Sequence, residues 1–348
     1  MPGRTAVGLD IGTSGVRAAE LSYGRGGITL EKFGQVALPE GAVRDGEVID
    51  RPIVVDALKA LWKGSGFTNK HVGLGIANQR VVVRQVDLPW MRPEELKASL
   101  PLQVQDYLPM AVGESVIDFH VTEELNAPEG RQLRGLLVAA AREMIANNVE
   151  AVQAAGLFVD SVDLTSFAVL RSVGKVNSEV ATEALLDVGA RVSNLVIHSA
   201  GQPRFVRVLL SGGQDVTDAV AERLGVPSAF AEAVKRGGVD DLDPREADLL
   251  RSAVDLMTEV FVDEIRSSID YYSASNPQFP VERIVVSGGG SLLEGLVERL
   301  GQATRRAVVA GDPISGLHIG RTGLDEQQLL TVNPLAAVPV GLALGVIS

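Results

Sequence analysis

The sequence contains no cysteine, and only 4% of its 348 residues are aromatic. Without cysteine, disulfide bonds, thiol nucleophiles and cysteine-ligated zinc sites are excluded. Histidine is also rare, and His71, His120, His198 and His318 show no spacing typical of metal ligands. We therefore interpret them as structural side chains. No Ser-His-Asp triad or catalytic carboxylate pair can be placed in space from the sequence alone.

Basic residues are outnumbered as well. The chain has 44 acidic and 32 basic side chains, a formal net charge of −12, and a pI of about 4.9. Nucleic acids and anionic membranes both require a dense basic patch on their protein partner. The nearest candidate, Arg305-Arg306, is too small, so we expect no nucleic-acid partner.

Long hydrophobic runs are missing too. The first residues show no positively charged segment followed by a cleavable apolar stretch, so no secretory signal is expected. The apolar run "PLAAVPVGLALGVIS", residues 334–348, is shorter than the roughly 20 residues of a membrane span. It also lacks the charged face of an amphipathic anchor. We expect a core helix there, no direct membrane insertion and a cytoplasmic location.

What the sequence does contain is an internal repeat, in a chain long enough for two domains. "GLDIGTSGVRAAEL" at residues 8–21 and "LLDVGARVSNLVIH" at residues 185–198 both consist of an apolar strand, Asp-apolar-Gly, a short turn and another strand. Asp10 aligns with Asp187, and Gly12 with Gly189. A further strand follows each copy, "ITLEKFGQVAL" and "QPRFVRVLL". The sequence therefore predicts one β-hairpin pattern used twice.

A third motif, "RIVVSGGGSLLEGLVERL" at residues 283–300, follows both hairpins. Its β-favouring residues lead into a triple glycine, where the backbone can come close to a phosphate or nucleoside. Glycines also serve tight strand-to-helix packing, so the motif alone is weak. An amphipathic helix is predicted directly after the glycines, with an apolar face of Leu292, Leu293, Leu296, Val297 and Leu300.

Residues 215–279 are predicted to be mainly helical. The first helix has Thr217 as its N-cap and Gly225 as its end, and the second has Ser228 as its N-cap. A long helix starts near Pro244 and ends at the Asn-Pro pair 276–277. Its apolar stripe is expected to face the core and consists of Leu249, Val254, Met257, Phe261, Ile265 and Ile269.

The segment between about 33 and 165 is predicted to be a small inserted α/β subdomain. Asp45-Gly46 is a strong hairpin signal. "HVGLGIANQRVVVRQVDLP" predicts two strands, and Pro93 opens a helix after them. The apolar face of that helix is predicted to be Leu96, Leu100, Val104 and Leu108. The rest of the segment predicts strand "VIDFHV", a loop around "NAPEGRQ", strand "LRGLLVAAA", helix "REMIANNVEAVQAAG" and strand "LFVDSVDL".

The hairpin tips suggest the chemistry of the site. The predicted tip of the first hairpin consists of Gly12, Thr13, Ser14 and Gly15. Its successive backbone N–H groups can close on an anion. Asp10 and Asp187 would then face each other across a cleft and hold a hydrated Mg²⁺, which prefers few carboxylates plus water and phosphate. The alternative is an ordinary hairpin with an aspartate in its turn.

The order of the motifs separates these alternatives. The sequence contains no G-x-x-x-x-G-K-[ST], so the site is not a P-loop. A repeated Asp-x-Gly followed by strand, triple glycine and helix resembles the nucleotide cleft of the actin, Hsp70 and sugar-kinase superfamily.

Three other features have two interpretations each. Glu232 and Lys235, three residues apart on one helix, either reach a nucleoside in such a cleft or form a solvated helix face. "SGGQDVT" at residues 211–217 is either a phosphate-side loop or a capped strand-to-helix turn, and we favour the turn. Trp62 and Trp90 are interpreted as packing residues, with a partner contact as the alternative for Trp90.

Across nearly its whole length the sequence resembles the PilM family, actin-like cytoplasmic proteins of type IV pilus assembly. The matching segments follow the family's order and are "GLDIGTSGVRAAEL", "VRDGEVID", "VVVRQVDLPWMRPEEL", "YLPMAVGESVIDFHV", "LLVAAAREMI", "AAGLFVDSVDLTSFAVLR", "LLDVGA", "SGGQDVT", "AEAVKRG", "VSGGGSLLEGL" and "VNPLAAVPVGLALG". The resemblance implies an α/β actin-like fold of two lobes with duplicated hairpin and βαβ cores. It implies a first core from residues 1–32 and 166–184 with an insertion at 33–165, a second core from 185–214 and 280–348, and a helical subdomain from 215–279.

The resemblance also implies ATP and Mg²⁺ in the cleft, with Asp10 and Asp187 holding the metal through water. The expected nucleotide-binding residues are Asp10, Gly12, Thr13, Ser14, Gly15, Arg17, Asp187, Gly189, Ala190, Gly212, Gly213, Glu232, Lys235, Gly288, Gly289, Gly290 and Ser291. The role it implies is structural, with ATP turnover at most slow.

The partners implied by the resemblance are a PilN-like inner-membrane protein and the cytoplasmic assembly ATPase, with self-association left open. The short cytoplasmic tail of the PilN-like protein would lie in a groove beside the inserted subdomain. We assign to this groove Val83, Leu88, Trp90, Leu100 and Val104. The protein would thus be held at the inner face of the cytoplasmic membrane through its partners.

The sequence departs from the family pattern in two places. Arg17 stands where family members often have lysine, which keeps the charge but not the shape. "SLPLQVQDYLP" has Pro101 and Gln103 where the inserted helix usually carries glutamate. Pro101 removes a helical hydrogen bond and is expected to kink or restart that helix.

Two other functions are the alternatives to a pilus adaptor. An FtsA-like division protein would want a C-terminal amphipathic helix, which "GLALGVIS" does not resemble. A small-molecule kinase needs an acceptor site with a catalytic base, and an insertion after the first hairpin is an unusual place to build one.

Overall fold

The computed structural model describes residues 4–128, 130–174, 181–236 and 243–346. Its strands are β1 (Arg4–Gly12), β2 (Gly15–Gly24), β3 (Gly27–Ala37), β4 (Val43–Arg44), β5 (Glu47–Val48), β6 (His71–Ile76), β7 (Val81–Pro89), β8 (Ser115–Ala127), β9 (Gly130–Ala141), β10 (Phe158–Leu164), β11 (Thr182–Val188), β12 (Ser193–Ser199), β13 (Gln202–Leu209), β14 (Arg283–Ser287), β15 (Ala307–Ala310) and β16 (His318–Ile319). Its α-helices are α1 (Arg51–Ser65), α2 (Pro93–Gln103), α3 (Arg142–Ala154), α4 (Thr165–Val173), α5 (Gly213–Leu224), α6 (Ser228–Lys235), α7 (Pro244–Ser275), α8 (Leu296–Thr304), α9 (Glu326–Val332) and α10 (Ala337–Gly345).

Two large sheets carry the repeat predicted from the sequence. The first has the order β10-β6-β1-β2-β3-β16, and the second has the order β13-β12-β11-β14-β15. In each, an antiparallel hairpin continues into a third antiparallel strand, and a parallel strand pairs with the hairpin's other side. Asp10 pairs with Arg17 in one hairpin, and Asp187 pairs with Asn194 in the other. We call the units built on these sheets the first lobe and the second lobe.

A separate three-stranded sheet, β7-β9-β8, packs against α2 and forms what we call the inserted unit. It is smaller than the predicted insertion at 33–165. The strands at 71–76 and 158–164 lie inside those bounds, yet they pair with β1 and with each other in the first sheet. β3 and the helices α1 and α3 also belong to the first lobe. The expected loop around "NAPEGRQ" is largely strand, because Ala127 pairs with Gly130.

Helix α10 lies between the two lobes. On one side Val340 and Ala343 pack against β1, β2 and β3, and on the other Val338 and Leu342 pack against α4 and the second sheet. Among the described residues, the 20-residue segment Glu326–Gly345 has the length and hydropathy to cross a membrane. Half of its apolar part is buried inside the protein, which agrees with the predicted core helix.

Most helix boundaries follow the local signals, with some differences. α7 runs from Pro244 to Ser275, and Gly225 caps the end of α5, as predicted. α5 begins at Gly213 rather than behind Thr217, however, and Thr217 is a buried interior residue of the helix. Pro227, not Ser228, precedes α6. Leu249 on α7 is 46% exposed and lies outside the core.

The segment after the triple glycine also differs from the prediction. A short 3-10 turn occupies Gly289–Leu292, and α8 begins only at Leu296. Leu292 is therefore exposed rather than part of an apolar helix face. The reason is that Gly295 adopts a left-handed conformation at the N-cap, which separates the turn from the helix.

Candidate functional site

The first wall of the site is the end of the β1–β2 hairpin. Asp10 is the third residue from the end of β1, and its side chain is 15% exposed. Nη1 of Arg17, on the paired strand, lies 3.7 Å from Oδ2 of Asp10. Nη2 of Arg17 donates to the Ser14 hydroxyl over 3.5 Å. The guanidinium therefore lies between the aspartate and the hairpin tip, where it can meet an anion.

The second wall is the equivalent hairpin of the second lobe. Asp187 near the end of β11 is buried, and its Oδ1 accepts a 3.0 Å hydrogen bond from the Ser287 hydroxyl. Ser287 is the parallel-strand neighbour of Asp187 in β14 and directly precedes the triple glycine. The aspartate and the glycine turn are thus placed side by side by strand pairing.

The two aspartates face each other closely enough to interact. Burial, and then the charge of Asp10, raise the pKa of Asp187 to about 6, although the Ser287 hydroxyl and the Arg17 guanidinium act in the opposite direction. Burial also raises the pKa of Asp10, and the adjacent Arg17 offsets part of that change. The structure therefore brings one carboxylate from each lobe into a shared, poorly solvated space.

The triple glycine is packed against the second hairpin. Gly288 has φ +83°, and a Cβ placed there would lie 2.4 Å from the Val188 carbonyl oxygen. A Cβ on Gly290 would lie 2.3 Å from Cγ1 of Val188. The Ser291 hydroxyl closes the turn by donating to the Gly288 carbonyl over 2.6 Å. This turn needs glycine because its backbone touches β11.

The "SGGQDVT" segment forms a strand-to-helix turn on the same side of the second lobe. The amide of Gly213 donates to the Gly189 carbonyl over 3.0 Å, and the amide of Gln214 donates to the Ala190 carbonyl over 2.7 Å. Oδ2 of Asp215 accepts from the Gly212 amide over 2.7 Å and caps the start of α5. The favoured interpretation as a turn agrees with this geometry, and the turn also borders the cleft.

Glu232 and Lys235 reach this turn from α6. The Lys235 ammonium donates to the Gly213 carbonyl over 2.9 Å and to the Thr217 hydroxyl over 2.8 Å. Burial would raise the pKa of Glu232, but hydrogen bonds from Lys235, Thr217 and Arg236 outweigh it and lower that pKa to about 2. These two residues therefore form an ordered, charged pair rather than a fully solvated helix face.

The predicted residues of the second lobe converge on one place. A Cβ on Gly213 would lie 3.6 Å from Nζ of Lys235, 3.8 Å from the Gly189 carbonyl oxygen and 3.8 Å from Cα of Gly290. One edge of the cleft is therefore formed by four parts of the second lobe: the turn of the second hairpin, the 212–213 turn, α6 and the triple glycine. Asp10, the 12–15 tip and Arg17 lie on the first lobe's side of the same cleft.

The donor set at the cleft fits a hydrated Mg²⁺ and a phosphate group. No group of three or more His, Cys, Asp or Glu side chains forms a metal cage among the described residues. Mg²⁺ prefers few carboxylates plus water and phosphate oxygens, and the facing carboxylates of Asp10 and Asp187 are donors of this kind. Within the same residues, Nε of Arg17 is buried without a hydrogen-bond partner, which suits a phosphate oxygen.

The predicted partner groove is placed differently from the expectation. Leu88, Leu100 and Val104 are 2%, 6% and 0% exposed, because they form the core between the inserted sheet and α2. Val83 is half-buried and packs towards the second lobe beside Val206. These four residues therefore do not line an open surface in this structure.

Trp90 is the member of the predicted groove that stays accessible, with 40% of its surface exposed. The Arg131 guanidinium lies 4.4 Å from its ring centroid, and the Trp90 amide donates to the Arg131 carbonyl over 2.9 Å. Trp62 instead packs in the first-lobe core, as predicted.

Sequence reasoning missed several residues at the cleft. Ser287 was hidden because its contact with Asp187 depends on parallel pairing between strands about 100 residues apart. Arg191, in the second hairpin turn, was missed for a similar reason. Its Nη1 lies 2.5 Å from Oδ2 of Asp218, and its Nη2 lies 3.3 Å from Oε1 of Glu40 in the first lobe. A charged residue inside a repeated glycine turn was the available signal.

Comparisons with known proteins agree on the fold. The family described as type IV pilus assembly protein PilM matches residues 8–346. A chain in a PilM-PilN type IV pilus biogenesis complex is similar with a TM-score of 0.84 and 27% identity, covering 99% of this chain and 98% of that chain. The ethanolamine utilization protein EutJ from Carboxydothermus hydrogenoformans has a TM-score of 0.55 at 15% identity, covering 99% of this chain and 90% of its own.

A curated relative is cell division protein FtsA of Streptococcus pneumoniae, 23% identical over 331 residues, which is 84% of this chain and 72% of that protein. The structural likenesses confirm the predicted α/β actin-like fold.

Proposed function

Because this chain belongs to the family of the type IV pilus assembly protein PilM, we propose that it is an ATP-binding adaptor of a type IV pilus assembly machine. In this role it binds the short cytoplasmic tail of a PilN-like inner-membrane protein and links it to the cytoplasmic assembly ATPase. It is held at the inner face of the cytoplasmic membrane through that partner.

The observation that carries the proposal is the extent of the similarity to the PilM chain of the PilM-PilN complex. It spans 99% of this chain at a TM-score of 0.84, so both lobes and the inserted unit are included. A protein that shared only the nucleotide cleft would match the two sheets and diverge in the insertion. The proposal therefore rests on similarity over the whole chain rather than on the cleft alone.

The cleft geometry supports ATP as the ligand. Asp10 and Asp187 would hold a hydrated Mg²⁺, and Arg17 with the 12–15 tip would meet the phosphates. Glu232 and Lys235 would lie on the nucleoside side of the 212–213 turn. When bound, Mg²⁺ would stabilise the Asp187 carboxylate against the burial and the nearby Asp10 charge that raise its pKa. We propose that ATP has a structural role here and that its turnover is at most slow.

The partner surface is proposed to include Trp90 on the inserted unit. An exposed tryptophan held by Arg131 presents a rigid apolar face at a low entropic cost, which is typical of binding hot spots. The buried residues Leu88, Leu100 and Val104 would support that surface by keeping the inserted unit folded.

The test is capture of partners from membranes of the source cells by the purified full chain, with and without Mg²⁺-ATP. The proposal expects recovery of a single-span PilN-like protein and loss of that recovery when its cytoplasmic tail is deleted. Recovery of division-ring proteins instead would favour an FtsA-like role. Rapid phosphorylation of a sugar or acetate in a parallel screen would favour a kinase.

A matched pair of variants tests the partner surface. Trp90→Ala should weaken capture of the PilN-like protein about 30-fold or more, since hot-spot tryptophans contribute about 2 kcal/mol or more. Tyr271→Ala removes another exposed aromatic side chain, 65% exposed on α7, and should leave capture unchanged. Equal capture by both variants would rule out Trp90 as a contact.

A further inference from the structure

The turn of the second hairpin carries an arginine that touches both lobes. Nη1 of Arg191 lies 2.5 Å from Oδ2 of Asp218 and 3.3 Å from Oδ1 of Asp215, both on α5 of the second lobe. Its Nη2 lies 3.3 Å from Oε1 of Glu40, which follows β3 of the first lobe. The guanidinium therefore bridges the lobes with one carboxylate on one side and two on the other.

The bridge crosses the cleft beside both hairpin tips. On the first lobe, the amide of Leu38 donates to the Ser14 carbonyl over 3.0 Å, which anchors the segment carrying Glu40 to the first tip. On the second lobe, Arg191 follows Ala190, whose carbonyl accepts from the Gln214 amide over 2.7 Å. Separation of the two tips would break the contact between Arg191 and Glu40.

The Arg191 side chain is held by Asp215 and Asp218 of its own lobe as well as by Glu40. Asp215 uses its other oxygen to cap the Gly212 amide over 2.7 Å, so the same carboxylate orders the 212–213 turn and holds the arginine. The Arg191 side chain is 29% exposed, whereas that of Glu40 is 72% exposed. A preorganised guanidinium loses little freedom on pairing, so the contact forms without reorganising the second lobe.

We infer that Arg191 and Glu40 form an interlobe clasp that slows the release of nucleotide from the cleft. Arg191 acts here as a positioning residue, because it holds the two tips together rather than reacting with the ligand. The inference rests on the proposed binding of ATP. Since the pair exists only when the tips are close, it stabilises the closed arrangement and not the open one.

The expected effect is modest because Glu40 is exposed. Exposed ion pairs contribute about 0.2–1 kcal/mol, which corresponds to a change of up to about fivefold in a rate or equilibrium constant. The contribution should also fall at high ionic strength, since solvent-exposed charges are screened by salt.

The first experiment measures dissociation of a fluorescent ATP analogue from the full chain in the presence of Mg²⁺. Glu40→Gln should release the analogue about two- to fivefold faster than the natural chain at low salt, with the difference disappearing near 1 M salt. The matched control is Glu150→Gln, because Glu150 pairs with Arg51 at 2.6 Å within the first lobe, and both are about half exposed. This control should not change the rate.

A double-variant cycle separates the clasp from a general structural effect. Arg191→Met should also speed release, and adding Glu40→Gln to it should cause no further acceleration. Additive accelerations, or a Glu40→Gln rate equal to that of the natural chain, would overturn the inferred role in nucleotide release.

The second experiment tests the clasp without any nucleotide. Because the chain has no cysteine, spin labels can be placed at Lys59→Cys on α1 and Glu298→Cys on α8, both exposed and on different lobes. Glu40→Gln should shift the inter-label distances to longer and broader values, and Glu150→Gln should not. Identical distributions would overturn the clasp. Failure of the natural chain to bind nucleotide would instead refute the proposed function, and the distance measurement would still test the clasp.

Discussion

At the scale of single residues, Asp187 combines burial with a nearby like charge. Its carboxyl lies at the end of β11, with the Ser287 hydroxyl at 3.0 Å and Asp10 across the cleft. Burial and Asp10 raise its pKa to about 6, so at neutral pH the folded protein holds a charge in an unfavourable place. Such a residue is expected at a binding site rather than in a purely structural core.

The pH dependence of folding tests this state of Asp187. Its folded pKa of about 6 lies above the ordinary value of 3.8. Asp187 therefore makes its full stabilising contribution to the free energy of unfolding when the pH is below its ordinary pKa. This contribution is lost as the pH rises through about 6. Acidification from about pH 7.5 to about pH 5 should stabilise the natural chain by about 1.4 kcal/mol more than Asp187→Asn. Urea unfolding measures the free energy of unfolding of both proteins at each pH. If it changed with pH equally in both, the raised pKa of Asp187 would be contradicted.

Gly288 shows how a single glycine positions the turn. It has φ +83°, the same as Gly316, but only at Gly288 would a Cβ meet neighbouring backbone, 2.4 Å from the Val188 oxygen and 2.7 Å from its nitrogen. Around Gly316 nothing lies within 4 Å of that position. Gly288 also has ψ 164°, a combination with positive φ that is essentially restricted to glycine, so both its backbone conformation and its close packing exclude a side chain.

Alanine at these two positions should give different losses of stability. Gly316→Ala should lower the free energy of unfolding by about 1–2 kcal/mol, the usual penalty for a left-handed non-glycine residue. Gly288→Ala should lower it by about 3 kcal/mol or more, because alanine would meet both a glycine-only backbone conformation and a collision with the Val188 backbone. Chemical denaturation of both variants measures the difference. Equal losses would show that β11 can move aside.

At the scale of elements, α2 packs its apolar face against the sheet of the inserted unit. The helix continues through Pro101 and ends at Gln103, and a 3-10 turn follows at Gln105–Tyr107. Leu96 and Leu100 face the inserted sheet and are buried with Val104. Leu100 and Val104, which are assigned to the partner groove through the family resemblance, therefore belong to the core that holds the inserted unit together.

Two leucines on α2 test this assignment. Leu100 is 6% exposed and Leu102 is 71% exposed on the same helix. Leu100→Ala should lower the free energy of unfolding by about 2–5 kcal/mol, as buried leucine truncations do. Leu102→Ala should change it by less than about 0.5 kcal/mol. A small effect of Leu100→Ala would return that residue to the list of surface candidates.

At the scale of the whole molecule, the two lobes meet along α4 and α10 and face each other at the cleft. The Thr165 hydroxyl at the start of α4 donates to Oδ1 of Asn194 in the second sheet over 2.9 Å. Asn194 is paired with Asp187, so the connecting helix is joined to the strand that carries one cleft aspartate. A ligand that contacts Asp10 and Asp187 together should therefore stabilise the chain as one unit.

Thermal unfolding with Mg²⁺-ATP tests this coupling. At a free ligand concentration about 100 times Kd, binding should add about 2.7 kcal/mol to the stability of the natural chain. Asp10→Ala and Asp187→Ala should each lose most of that gain without unfolding. Asp56→Ala, an exposed aspartate on α1, is the control and should retain it. An unchanged gain in both cleft variants would refute the nucleotide site.

The features that the sequence determined by itself are those set by local chemistry. The repeated Asp-x-Gly hairpins were readable because alternating apolar residues and turn glycines act over a few neighbours. The same holds for the hairpin at Asp45-Gly46, where both residues adopt positive φ, 52° and 82°. The start of α7 at Pro244 and the end of α5 at Gly225 are also local effects.

Only the tertiary structure decided which distant segments lie side by side. It placed strands 71–76 and 158–164 in the first sheet, buried Thr217 beneath Lys235, and turned Leu100 towards a core. It also brought Asp10 next to Asp187 and raised the pKa of Asp187 to about 6. Strand pairing, burial and charge interactions join residues that are far apart in sequence, so no local pattern specifies them.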